Sequence, residues 1–361
     1  MTRIRSLLAL AAAASLATAF SVRAQTAVGE RHLEASNPTA ALRDAEHRPT
    51  VHVTVWYPAA EGAAERSLDI GPPGRALFFV GEAAPDAAFA DDRRRPVILF
   101  SHGYGGSARM MAWFTTVLAQ QGYVVIAVDH PGNSSVDKMT VAGAALFWDR
   151  VGDLQAALDR VKADPAISAH IDARRLGVAG FANGGLTALI AGGARVDLAH
   201  FQAFCADHPE DGMCKPQPEF PVTLDQAAAA LASPELAAEA ARAGDDHSIR
   251  GVGAVFVMAP AFVQALDPAS LTASSTPVAV ILGEGDPVAA PRFNGGLVAR
   301  AVPRAKLKAL PGVGHYDFIS TCSQEAHATL AICQNQVPQT QTHHAALEMA
   351  LNLFANTLGP P

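Results

Sequence analysis

The chain has 361 residues, 50% hydrophobic and 17% charged, with a formal net charge of −7. That is ample for the core of one large α/β domain. The acidic balance argues against a nucleic-acid partner, whose phosphates demand a basic face.

Arg3 and Arg5 precede an apolar run, Leu7 to Phe20, followed by Val22-Arg23-Ala24. A basic start, an apolar segment of this length and an A-x-A-like end predict a secretory signal over residues 1–24, cleaved after Ala24. A membrane anchor fits less well, because a spanning helix needs about 20 apolar residues. The expected protein is exported, periplasmic or secreted, with no stable membrane anchor. Cleavage would remove Arg3, Arg5 and Arg23 and no acid, three positive charges, which takes the net charge from −7 to −10. Four cysteines remain: Cys205, Cys214, Cys322 and Cys333. An even count in an exported chain suggests disulfides. Of the pairings available, the local one is simplest, Cys205–Cys214 and Cys322–Cys333. A metal site would want CxxC spacing, which is absent.

Residues 25–46 are polar and aperiodic and read as a loose lead-in to a domain over 47–361. Thr50 to Tyr57 is β-branched and alternating, a strand ended by Pro58. Residues 60–94 mix Gly, Pro and charge and read as surface loop. Arg95 to Ser101 is a continuous apolar strand, followed by His102-Gly103-Tyr104-Gly105-Gly106 and a helix over Ser107 to Gln121. Tyr123 to Val128 is a second buried strand, closed by Asp129-His130-Pro131-Gly132. The spacing of Phe147, Val151, Leu154, Leu158 and Val161 predicts a helix over 144–163, stopped at Asp164-Pro165. Leu176 to Ala179 ends a further strand, and a helix follows from Gly184.

Residues 195–249 break this rhythm with the first cysteine pair, a Pro-rich piece and an Ala-rich helical pattern from Leu224 to Ala243. They read as an insertion, either a lid over the sheet or a surface excursion. Strands return at Val252 to Met258, Pro277 to Leu282 and Ala305 to Leu310, with helices over Arg292 to Val302 and His343 to Leu358. Such alternation predicts a mostly parallel sheet with helices on both faces, and ligands at the carboxyl ends of its strands.

Three of those strand ends carry chemistry. Gly180-Phe181-Ala182-Asn183-Gly184-Gly185 is the strand–turn–helix of a nucleophile elbow, G-x-S-x-G, with Ala182 where the nucleophile belongs. Gly283-Glu284-Gly285-Asp286-Pro287 follows one later strand, and Gly312-Val313-Gly314-His315-Tyr316 follows the last. Nucleophile position, acid, then His is the chain order of a hydrolase of the α/β type.

With VWYPA (Val55–Ala59), HGYGG (His102–Gly106), DHPGN (Asp129–Asn133), GFANGG (Gly180–Gly185), GEGDP (Gly283–Pro287) and GVGHYDF (Gly312–Phe318), the chain resembles α/β-hydrolases of the exported dienelactone-hydrolase-like and platelet-activating-factor-acetylhydrolase-like group. The resemblance runs from Val51 to the C-terminus. It implies the α/β-hydrolase fold and carboxylic ester hydrolysis through an acyl-enzyme. The chain departs from the family at Ala182, where relatives carry Ser, or Cys in true dienelactone hydrolases.

His315 would be the general base. Asp286 would orient it, with Glu284 the second candidate. The backbone N–H groups of Asn183 and Tyr104 would stabilise the oxyanion. His130 reads as packing, and Ser101 as pointing into the sheet layer. His343 and His344 diverge by about 100° on a helix and make no metal pair. The expected partner is a small-molecule ester, lipid-like esters included, with short to medium acyl chains favoured and no cofactor implied. With alanine at 182, activity is expected to be lost or strongly impaired. Such a chain is either a Ser-to-Ala variant of a working hydrolase or a non-catalytic ester- or lipid-binding relative.

Overall fold

The apolar runs become the strands of one sheet in the computed structural model, which describes residues 26–335 and 337–361. The signal-peptide segment lies outside the described residues. The strands are β1 (Val28–Ser36), β2 (Thr50–Pro58), β3 (Arg95–Ser101), β4 (Val124–Asp129), β5 (Ile171–Phe181), β6 (Val252–Met258), β7 (Val278–Gly283) and β8 (Lys306–Leu310). Their spatial order is β8-β7-β6-β5-β3-β4-β2-β1, and two short strands, Glu82–Pro85 and Arg66–Ser67, extend it beyond β1 to ten. Strands β3 to β8 run parallel, while β2 lies antiparallel to both β4 and β1.

Because side chains alternate across a strand, each parallel strand feeds two cores. The helices are α1 (Ala112–Gln120), α2 (Arg150–Ala163), α3 (Asn183–Ala191), α4 (Leu198–Asp207), α5 (Leu224–Leu231), α6 (Gly295–Ala301) and α7 (Gln339–Leu358). Ile98, Phe100, Val125, Phe256 and Ile281 face α1 and α7, where Phe114, Leu118, Ala350 and Phe354 complete the layer. Val97, Leu99, Ile126, Val178 and Val255 face the opposite way, toward Leu154 and Leu158 of α2, Leu186 and Ile190 of α3, and Val298 of α6. Among the described residues no helix is long and apolar enough to cross a membrane.

Several local expectations need correction. The lead-in is not loose: residues 28–36 form β1, paired along its whole length with β2. The segment is mostly polar because one face of β1 is only half covered, and Glu30 there accepts the Trp56 indole N–H at 2.8 Å. The surface loop over 60–94 carries short strands, one of which, Phe78–Phe79, pairs with Thr321–Cys322. The helix expected over 107–121 opens with a 3-10 turn and becomes α1 only at Ala112. The helix over 144–163 starts at Arg150, behind a short helix, Val141–Ala145, and a 3-10 turn, Phe147–Asp149. The elbow helix begins at Asn183.

The Ala-rich pattern over 224–243 is two helices, α5 and Ala237–Ala240. Pro234 lies between them and disfavours helix at the residue before it.

Both local disulfides are formed, Cys205–Cys214 and Cys322–Cys333. The second closes a span of 11 residues, for which chain-entropy reasoning gives about 2–3 kcal/mol. A Cys322→Ser/Cys333→Ser double variant is expected to lose about that much unfolding free energy. Urea denaturation at fixed pH checks it, and an unchanged midpoint would show that the loop is already constrained in the unfolded chain.

Candidate active site

Strand β5 runs directly into the elbow. Ala182 has φ 51° and ψ −118°, a region non-glycine residues occupy at a cost of about 1–3 kcal/mol. Backbone hydrogen bonds hold it there. Its N–H donates to the Met258 carbonyl at 3.0 Å, and its own carbonyl accepts from Gly185 (2.8 Å), Ala261 (3.1 Å) and Leu186 (3.2 Å). The flanking glycines are steric requirements: a Cβ on Gly180 would overlap the Gly184 carbonyl, and one on Gly184 the Ser101 carbonyl.

The acid and the histidine meet. His315 opens a single 3-10 turn, His315–Phe318, after Gly314, whose N–H donates to Asp317 Oδ2 at 2.6 Å. Its Nδ1 donates to Asp286 Oδ2 at 2.7 Å, and Asp286 Oδ1 accepts the N–H groups of Val288 and Ala289, each at 2.8 Å. Three hydrogen bonds therefore fix a buried carboxylate, and through it the tautomer of a buried imidazole. Glu284 is exposed and turned to solvent. Ala182, Asn183, His315 and Tyr104 line one small cavity of about 30 Å³.

Neither the Tyr104 nor the Asn183 backbone N–H donates to an acceptor among the described residues. The Asn183 side chain is 2% exposed, and its amide oxygen has no hydrogen-bond partner there.

The loop bearing Tyr104 is anchored from below by a buried polar network. Arg150 bonds the His102 carbonyl and reaches Asn133 Oδ1 at 3.1 Å, and Asn133 Oδ1 in turn accepts the Gly105 N–H at 3.1 Å. Ser101 Oγ lies 2.9 Å from His130 Nε2, whose Nδ1 lies 2.8 Å from Asp153 Oδ2. Asp153 also receives Arg43 Nη1 and Nη2, at 2.8 and 2.7 Å. Ser101, His130 and Asp153 thus repeat the order of a hydrolytic triad, but all three are fully buried and none lines the cavity at Ala182. Burial, then the Arg150 charge, depresses His130 to about 3, so it is neutral. Burial raises Asp153, but the Arg43 charge and hydrogen bonds outweigh it and hold the carboxyl well below its ordinary range. Burial likewise pushes Arg150 down to about 9.

The sequence reading placed His130 and Ser101 inside the fold and missed Arg43, Arg150 and Asp153. A signal was present: Arg150 stands four residues before Leu154 and Asp153 four before Ala157, charges set into an apolar stripe.

The 195–249 segment reaches over the site. Tyr316 donates its hydroxyl to Glu219 Oε1 at 2.7 Å, and Tyr104 donates to the Phe220 carbonyl at 2.9 Å. Burial, then Glu219, raises the pKa of both phenols. Among the described residues, no three His, Cys, Asp or Glu side chains are grouped as metal ligands.

A family model described as platelet-activating factor acetylhydrolase, isoform II, matches residues 79–145. The chain is 30% identical over 190 residues to the cutinase cut1 of Thermobifida fusca, covering 52% of this chain and 51% of that one. It is 30% identical over 164 residues to the cutinase est2 of Thermobifida alba, covering 45% and 46%. The chain thus spans about half the length of the curated relatives it matches. The solved structure of a ferulic acid esterase from Streptomyces cinnamoneus superposes with a TM-score of 0.60 at 18% identity, over 93% of this chain and 91% of that one. The chain has the α/β-hydrolase fold.

Proposed function

We propose that the site is that of an exported carboxylic ester hydrolase of the acyl-enzyme type, lacking its nucleophilic atom. The observation that carries this reading is that His315, held by Asp286, lines the same cavity as the elbow residue, Ala182. The likeness to cutinases supports the substrate class, and the two disulfides support export.

The roles follow from the geometry. Asp286 holds the His315 Nδ1–H, which leaves Nε2 free to take a proton from a hydroxyl at position 182. That oxygen would attack the ester carbonyl, and the charge developing on the carbonyl oxygen would be met by the Tyr104 and Asn183 N–H groups. His315 would return the proton to the leaving alcohol, and water would then release the acyl group by the same route. The methyl group of Ala182 has neither an ionisable proton nor a lone pair to enter this sequence. The chain as it stands therefore binds an ester and leaves it intact.

The test is covalent labelling with a fluorophosphonate. The Ala182→Ser variant is expected to form an adduct mapped by mass spectrometry to residue 182, and the unaltered chain none. A folded Ala182→Ser variant that stays unlabelled would instead support a pocket kept for binding alone.

A further inference from the structure

Tyr104 and Asn183 belong to different elements, one in the loop after β3 and the other opening α3, yet one side chain ties both. Arg150, the first residue of α2, is fully buried. Its Nη2 donates to the His102 carbonyl and, at 3.3 Å, to Ser101 Oγ. Its Nη1 donates to Asn133 Oδ1 at 3.1 Å, and the same oxygen accepts the Gly105 N–H. These contacts hold the chain on both sides of Tyr104. Its Nε donates to Thr187 Oγ1 at 3.2 Å, and that hydroxyl donates to the Asn183 carbonyl at 3.1 Å. All of these acceptors are neutral. The Asp153 carboxylate goes to Arg43 and His130 instead.

We infer that Arg150 is a positioning residue for the oxyanion site, a single guanidinium that sets the Tyr104 and Asn183 N–H groups relative to each other. The inference rests on the ester-hydrolase reading and adds to it the group that keeps the two donors in register. Two N–H groups stabilise an oxyanion only if both already point to where the charge develops. A loop and a helix N-terminus held separately would move separately. A planar guanidinium, with its donors in a rigid fork, makes them one body. Keeping a cation here without an ion pair costs the fold stability, and burial depresses its pKa accordingly. Departures of this kind from the most stable choice gather at functional sites.

The test uses the Ala182→Ser background for turnover and the unaltered chain for structure. Arg150→Met removes the fork and keeps similar bulk. It should lower kcat for 4-nitrophenyl butyrate about 100-fold, the scale of one lost oxyanion donor, with KM changed by less than about threefold. Arg150→Lys keeps the charge without the fork and should recover no more than about threefold of that loss. Thr187→Val cuts only the arm to Asn183. It should lower kcat about tenfold alone, and less than about twofold further once residue 150 is already substituted by Met. A loss carried by KM, full recovery with lysine, or additive losses for the two positions would overturn the inference. Should Arg150→Met fail to fold, Thr187→Val decides, and an unchanged kcat in that variant would overturn it.

Hydrogen exchange keeps the inference testable apart from turnover. In the unaltered chain, Arg150→Met should speed exchange over residues 102–106 and 183–187 together, with the protection of α7 unchanged. Loosening of one segment alone, or of neither, would overturn the coupling. If Ala182→Ser resists fluorophosphonate, the catalytic reading falls. Joint loosening would then uphold Arg150 as the residue that sets the two segments and discard only its link to turnover.

Discussion

Ala182→Ser is expected to raise turnover of 4-nitrophenyl esters by at least about 10³ over the unaltered chain, a cautious share of the roughly 10⁶ that a triad nucleophile can supply. The parts around the missing atom are in place. The elbow is fixed by backbone hydrogen bonds that involve no side chain of residue 182, so a hydroxyl there inherits the same orientation. Asp286 already holds His315 at 2.7 Å. The two N–H groups that would meet the oxyanion have no acceptor to give up among the described residues. Adding His315→Ala to the restored enzyme should return the rate to that of the unaltered chain. A rate gain that survives this second substitution would mean that the hydroxyl is activated elsewhere.

The second large effect is on stability. Asp153→Ala should destabilise the fold by about 3–5 kcal/mol, the usual cost of leaving a buried charge without its partner. Arg43, 1% exposed, would lose both its Asp153 hydrogen bonds, and His130 Nδ1 its acceptor. Urea denaturation reads the loss directly, and a change under about 1 kcal/mol would mean that water reaches Arg43 in the variant.

The same network sets an acid dependence. His130 is neutral in the fold, with its pKa at about 3, and has an ordinary value of 6.5 when unfolded. The unfolded chain therefore binds more protons below 6.5, and stability falls as pH drops from there toward 3. Asp153 acts in the same direction at lower pH. Its folded pKa is depressed, so its contribution is complete above the ordinary carboxylate value and is lost as pH falls through the folded one. Asp149, beside Arg43, acts the other way, because burial raises its carboxyl pKa, so the urea midpoint of the unaltered chain should fall relative to that of His130→Asn from pH 7 to 5 to 4.

What could be read from the sequence follows from how locally each feature is encoded. Strands β3, β4, β6 and β7 are buried on both faces, so their apolar runs announce them without tertiary context. The elbow is equally local, because Gly180 and Gly184 are required by contacts within a few residues or with the neighbouring strand. Strand β1 escaped because Gly29 and Arg31 share a face with Leu33 and Ala35, which leaves its alternation without a clean apolar side. Nothing local says that Glu30 will find the Trp56 indole.

The acid was legible as one of two carboxylates. Only the fold decides that Asp286 turns inward to Val288, Ala289 and His315 while Glu284 faces solvent. The Arg43–Asp153 pair joins residues 110 positions apart, a separation at which single-sequence patterns carry no information.

The segment over the site has a kinetic consequence. Glu219 and Phe220 are neighbours in the chain, yet one receives the Tyr316 hydroxyl from the loop of His315 and the other the Tyr104 hydroxyl from the opposite wall. A displacement of these two residues releases both walls in one event. On the proposed reading, admission of an ester, and escape of products from the Ala182→Ser variant, would then share a single barrier to which these two phenolic hydrogen bonds contribute. Loosening either one, through Tyr316→Phe or Tyr104→Phe, would quicken both passages together.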